Sequence, residues 1–372
     1  MRTLLKLIQW TMLTATLAIS VTGCDGNAPG TEGKKRIVFL TNGDDPFWDA
    51  CRKGMDDAAK EFKIEEANLT YVMDKGSEFK TVKQLEKLEQ YATQTDIAAV
   101  AISPVDASNG RIAKALKALR DKGIVVICVD SDMDRDKFRD SRFAYLGTNN
   151  LIGGEELGKT AKGLKPEGGK YATFVGLKSV ANAIERMGGF KKAAGDKFEE
   201  LDSMADEGDE NKAQENVETV LTKHADKGID TLVGIWAYNA HAIVKVVQKR
   251  EVRDEQTIVV FDAASLALSD MEKGLIDAMI VQNPYQMGYL SVKLMSAVVT
   301  DDHARIAEVF EGYDADKKEF KTVDSDIFNT ELRVVVPDEE SPLKADMFRP
   351  ETQFFYYKDF KKWLDDRGLV SS

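Results

Sequence analysis

The chain has 372 residues, with 63 acidic and 51 basic side chains, three histidines, three cysteines and a formal charge of −12. A body this acidic repels nucleic acid and anionic lipid faces, so no nucleic-acid partner is expected. The length exceeds one ordinary core and implies two domains.

Met1 to Trp10 carries Arg2 and Lys6, and Thr11 to Val21 is uncharged and apolar or small. This is the layout of an export signal over residues 1–23. The run is shorter than the ~20 apolar residues of a membrane span. Val21-Thr22-Gly23-Cys24 resembles a lipobox, which implies a diacylglyceryl thioether on Cys24 and anchoring to a membrane, in the periplasm or at the cell surface. The alternative is an ordinary signal peptide with an incidental cysteine. Residues 24–35 read as a flexible tether. Loss of 1–23 removes Arg2 and Lys6 and no acid, so −12 becomes −14. Cys51 and Cys128 remain, either paired or as two buried thiols.

RIVFLT (36–41) reads as the first strand. A helix over 47–62 follows, with Phe47, Cys51, Met55, Ala58, Ala59 and Phe62 at helical spacing. Asp45 and Pro46 supply its start signal. Strands at 69–73 and 97–102 lead to helices over 79–94 and 108–122. Strands at 124–129 and 143–147 precede a helix over 150–164. The pattern then restarts. Strands at 170–175, 201–204, 230–235, 257–261 and 277–281 lead to helices over 180–197, 210–226, 239–250, 265–273 and 285–300. Strands this apolar are buried on both faces, as in parallel sheets covered by helices. Two consecutive series predict an α/β chain of two doubly wound parallel-sheet domains. The tail is charged and then aromatic. Spacing within 354–367 fits an amphipathic helix, packed on one domain or docked on a membrane partner.

The histidines are isolated, and CxxC, HExxH, GxSxG and phosphate-loop patterns are absent, so no metal, cofactor or catalytic residue is expected. Gly153, Gly154 and Gly158 read as helix packing. In doubly wound domains ligands bind beyond the carboxyl ends of strands. Polar residues collect there. TNGDDPFW after the first strand offers Asn42, Asp45, Phe47 and Trp48, and Asp130-Ser131-Asp132 follows 124–129. Arg186 follows 170–175, Trp236, Tyr238 and Asn239 follow 230–235, Asp262 closes 257–261 and Gln282 closes 277–281. Planar carboxylates, amides and a guanidinium bind two neighbouring hydroxyls at once, and rings cover C–H faces, so the set suits a sugar. Arg186 offsets the charge of Asp130 or Asp262. Plainer roles also fit: a helix cap for Asp45, core for Phe47 and Trp236, turns for Asp130 and Asp262, a surface position for Arg186 and a backbone bond for Gln282.

These segments, with GTNNLIGGEELG, AIERMGGF, VVFD and MIVQNPYQMG in this order, resemble the ribose/galactose-binding periplasmic proteins, the type I receptors of ABC importers, over Arg36 to about Val336. The resemblance implies two lobes joined by a three-strand hinge. The first is 36–146 plus 284–325, the second 147–282 plus 326–340, and 341–372 is an extension. The crossings fall near Leu146-Gly147, Asn283 and Ser325. It implies sugar contacts from Asn42 or Asp45, Phe47 or Trp48, Asp130, Arg186, Asp262 and Gln282. Ribose receptors carry Arg where Ser131 stands and Asn-Asp where Tyr238-Asn239 stands. The DSD run also resembles the autoinducer-2 receptors.

Three functions are consistent with these residues. A monomeric receptor delivers a monosaccharide to an ABC permease. Alternatively, a signalling receptor for a sugar or autoinducer-2 presents its closed form to a sensor kinase or chemoreceptor. A glycosidase needs two carboxylates ~5–10 Å apart, and nothing marks one as a general acid. A repressor of this fold is excluded by the export signal and the missing helix-turn-helix.

Overall fold

The computed structural model describes residues 33–372. The segment expected to be an export signal, Cys24 and most of the expected tether lie outside the described residues. The first lobe alternates β1 (Lys35–Leu40), α1 (Phe47–Glu61), β2 (Leu69–Asp74), α2 (Thr81–Thr93), β3 (Ile97–Ile102), α3 (Gly110–Asp121), β4 (Val125–Val129), the single turn α4 (Arg135–Phe138) and β5 (Ala144–Gly147). The second continues α5 (Asn150–Leu164), β6 (Gly169–Val175), α6 (Ala181–Ala194), β7 (Phe198–Ala205), α7 (Glu210–Lys223), β8 (Thr231–Gly234), α8 (Ala237–Lys249), β9 (Thr257–Phe261), α9 (Ser265–Glu272) and β10 (Ala278–Val281). The chain returns to the first lobe as α10 (Pro284–Val299), α11 (His303–Val309), β11 (Tyr313–Asp314), β12 (Glu319–Phe320) and β13 (Ile327–Asn329). It re-enters the second as β14 (Arg333–Val336), β15 (Gln353–Tyr356) and α12 (Tyr357–Asp365).

The first sheet runs β13-β5-β4-β3-β1-β2, all parallel. The second runs β15-β14-β10-β9-β8-β6-β7, parallel except for the antiparallel β10–β14 pair. Helices cover both faces, so central strands are buried on both sides and read as unbroken apolar runs: Val126 to Val129 and Ile258 to Phe261 are wholly buried. Glycines let paired helices touch backbone to backbone. A Cβ on Gly54 in α1 would lie 2.0 Å from the Tyr285 carbonyl of α10, and one on Gly154 in α5 would lie 2.2 Å from the Arg186 carbonyl of α6.

The sheets are joined by three short crossings, residues 148–149, 282–283 and 330–332. The third was expected near Ser325. It lies later because Ile327–Asn329 pairs in parallel with Tyr145–Gly147 in the first sheet. Residues 354–356 were expected within a helix. They lie in β15, paired with β14, so the aromatic tail belongs to the second lobe rather than standing apart as an extension. Three consecutive aromatic residues, Phe354 to Tyr356, each half-buried, suit a strand with partly covered faces, and helical spacing begins only at Tyr357. Cys51 and Cys128 are separate buried thiols. Burial pushes both thiols well above their usual range, so neither is a ready nucleophile.

Candidate ligand-binding site

A narrow cavity lies between the lobes, at the carboxyl ends of their strands. Eight of the expected residues line it: Asn42, Asp45, Phe47, Trp48, Asp130, Arg186, Asp262 and Gln282. Phe79, Asn182, Trp236 and Ala237 complete the wall.

Asp130 and Asp262 follow β4 and β9 in left-handed backbone, with φ of 65° and 69°. This conformation costs an L-residue about 1–2 kcal/mol and is best tolerated by glycine, Asn and Asp. Asp130 Oδ2 accepts from Ser103 Oγ at 2.9 Å and from Asn182 Nδ2 of the opposite lobe at 3.0 Å. Asp262 Oδ1 accepts from Gln282 Nε2 at 2.8 Å. Arg186 stands between them, 3.8 Å from Asp130 and 3.7 Å from Asp262. Its Nε donates to Asn150 Oδ1 and its Nη1 to the Ile235 carbonyl, and its guanidinium lies 4.0 Å from the centre of the Phe261 ring. The fork is thus fixed on one edge. Arg186 Nη2, Gln282 Oε1 and Trp48 Nε1 are buried without a hydrogen-bond partner in the protein.

Asp45 accepts from the Phe47 amide at 2.8 Å, so it caps α1 and lines the cavity at once. Burial lifts its carboxyl to about 7 against the opposing Phe47 bond, and the nearby Asp262 and Asp130 charges add to the rise. Burial also raises Asp262 to about 6, although Arg186 pulls it down. Asp130 is raised by burial in spite of Arg186.

Ser131, Tyr238 and Asn239 do not line the cavity. The Ser131 amide bonds the Val129 carbonyl in the tight turn after Asp130, and its side chain is buried elsewhere. Asn239 Oδ1 caps α8 by accepting from the Trp236 amide, while its Nδ2 and the Tyr238 hydroxyl both donate to Asp206. Asp132 is likewise turned away, bonded through both oxygens to the buried Arg142. Asn182 and Phe79 were missed by sequence reasoning, since one sits in the first turn of a helix and the other in a loop. Trp236 fits both readings of the sequence, lining the cavity and packing in the core. Its Nε1 donates to Asn182 Oδ1, which orients the amide toward Asp130.

A periplasmic binding protein domain model matches residues 37–303. The ribose import binding protein of Salmonella typhimurium is 23% identical over 290 residues, covering 77% of this chain and 91% of the relative. The D-allose-binding periplasmic protein of Escherichia coli is 26% identical over 271 residues, covering 69% and 82%. The crystal structure of a glucose-galactose binding protein from Geobacillus stearothermophilus shares the fold, with a TM-score of 0.67, 24% identity and coverage of 82% of this chain and 97% of that one. The cleft position, the paired α/β lobes and the match over most of the body agree, and the chain belongs to the periplasmic binding protein family.

Proposed function

We propose that the protein is an extracytoplasmic receptor that takes one monosaccharide between its lobes and delivers it to the permease of an ABC importer. The observation that carries this reading is the convergence of Asp130, Arg186, Asp262 and Gln282 in one buried cleft, with the Arg186 Nη2 donor and the Gln282 Oε1 acceptor unpartnered. Buried polar groups need hydrogen-bond partners, and vicinal sugar hydroxyls both give and accept such bonds. Phe47, Trp48, Phe79 and Trp236 supply ring surface for the C–H faces of a sugar. Ribose and allose, in the names of two relatives, are both monosaccharides.

A ligand held by both lobes favours their shut arrangement, so its binding energy shifts that population. The permease then reads the shut shape, and no bond in the sugar is broken. A lipid on Cys24 holds a monomeric receptor beside the membrane. A thermal-shift screen of monosaccharides, polyols and autoinducer-2 tests the reading. A ligand specific to the native state stabilises by about 2.7 kcal/mol at a hundredfold excess over Kd. One monosaccharide is expected to raise the melting temperature, and Asp130→Ala, Arg186→Ala and Asp262→Ala to abolish the shift. A panel without any responding monosaccharide removes the sugar reading.

A further inference from the structure

The aromatic tail reaches the cleft from behind. Gln282 lies in the second crossing, and its carbonyl accepts from Arg333 Nη1 at 3.1 Å and from Ser372 Oγ at 3.0 Å. Ala263, the residue after Asp262, exchanges both backbone bonds with Ser372: the Ala263 amide donates at 2.7 Å and the Ser372 amide at 3.1 Å. Ser265 Oγ donates to the Val370 carbonyl. Ser371 and Ser372 are each only 3% exposed.

Resting on the sugar-site reading above, we propose that Ser372 and Arg333 are positioning residues of the binding site, clamped there by the tail, and that they hold Asp262 and Gln282 in register. Their bonds fall on the two backbone segments that carry the Gln282–Asp262 side-chain pair, not on a remote part of the lobe. Asp262 is left-handed, a conformation that persists only where surrounding contacts over-determine it. Ser372 supplies such contacts on the adjoining residue. The clamp has its own anchor. Phe360 and Leu364 of α12 are wholly buried, and Phe360 stacks on Trp363. The Arg333 guanidinium lies 4.1 Å from the centre of the Trp363 ring, which fixes the fork that bonds Gln282.

The experiment compares the full chain with Ser372→Ala, Ser372→Thr, a variant lacking 370–372, and Leu343→Ala, which opens the same lobe's buried core without touching these bonds. Amide exchange at Ala263 is read without ligand, and affinity is titrated with D-ribose, D-allose and D-galactose. In the shortened variant Ala263 exchange is expected to accelerate and sugar affinity to fall about tenfold, a loss of the size set by one or two hydrogen bonds. Ser372→Ala gives a smaller loss that Ser372→Thr restores, while Leu343→Ala lowers the melting temperature and leaves affinity unchanged. Equal affinity losses in Leu343→Ala and the shortened variant, at matched stability, would reduce the tail to a general support. Unchanged exchange at Ala263 would remove the clamp. If none of the three sugars binds even the intact chain, that counts against the sugar reading, and exchange at Ala263 alone decides whether the tail holds the strand ends.

Discussion

Asp45 dominates the expected pH response of the cleft. It is buried, no cation bonds it, and its carboxyl sits near 7 rather than 3.8. A raised carboxyl binds its proton more tightly in the folded than in the unfolded chain. Folded stability therefore falls as pH rises from about 4 to about 7 and is lowest, for this group, above that window. Asp45→Asn keeps an acceptor for the Phe47 amide and removes the titration. Melting temperatures between pH 4 and 8 are expected to fall less steeply in the variant, and parallel curves would contradict this. Asp130 and Asp262 were legible because a carboxylate directly after an apolar strand is costly unless used. Ser131 was misread because the left-handed turn at Asp130 redirects its neighbour, a reversal that apolar periodicity does not encode.

Between elements, the closest contacts decide where the site residues stand. α5 and α6 meet through Gly154, whose added Cβ would strike the Arg186 carbonyl. Gly154→Ala is expected to force the helices apart, cost about 1–3 kcal/mol in denaturant unfolding and displace Arg186 enough to weaken sugar binding. Full binding with unchanged stability would show that α6 yields freely. The helix-packing role of Gly154 and Gly158 was visible in sequence because small residues recur four apart on one face, whereas Gly153 faces the Phe261 ring of β9. β15 was not, since its pairing with β14 is set by a partner 17 residues away at the nearest and by the core it covers. β7 was seen only as a core of four residues. As a sheet edge it carries Glu199, Glu200, Asp202 and Ser203 within the strand, and these interrupt its apolar run.

Across the whole molecule, Phe79 is one of the places where the lobes meet. It comes from the first lobe, and its ring lies 5.7 Å from that of Trp236 in the second. A Cβ on Gly208, whose φ is 81°, would lie 2.4 Å from it, so a larger residue there is strained and displaces the ring. Glu78 and Phe79 are both left-handed, with φ of 50° and 54°. Ser179 adds bonds to the backbone at Val105 and Ala107. Phe79→Ala is expected to raise the sugar dissociation rate about tenfold with little change in association, because interface changes act mainly on dissociation. Stopped-flow fluorescence measures both, and an unchanged dissociation rate would sink this role.

The three crossings have a mechanical consequence. Each is two or three residues long, and Thr330 in the third donates its amide to the Gly147 carbonyl beside the first. Three short ribbons fixed side by side behave as a leaf flexure: compliant in bending about one axis, stiff in shear and in twist. The lobes then have a single soft coordinate. A distance between one label on each lobe reports the whole motion, and a substitution in any one ribbon changes the stiffness of that coordinate without creating another.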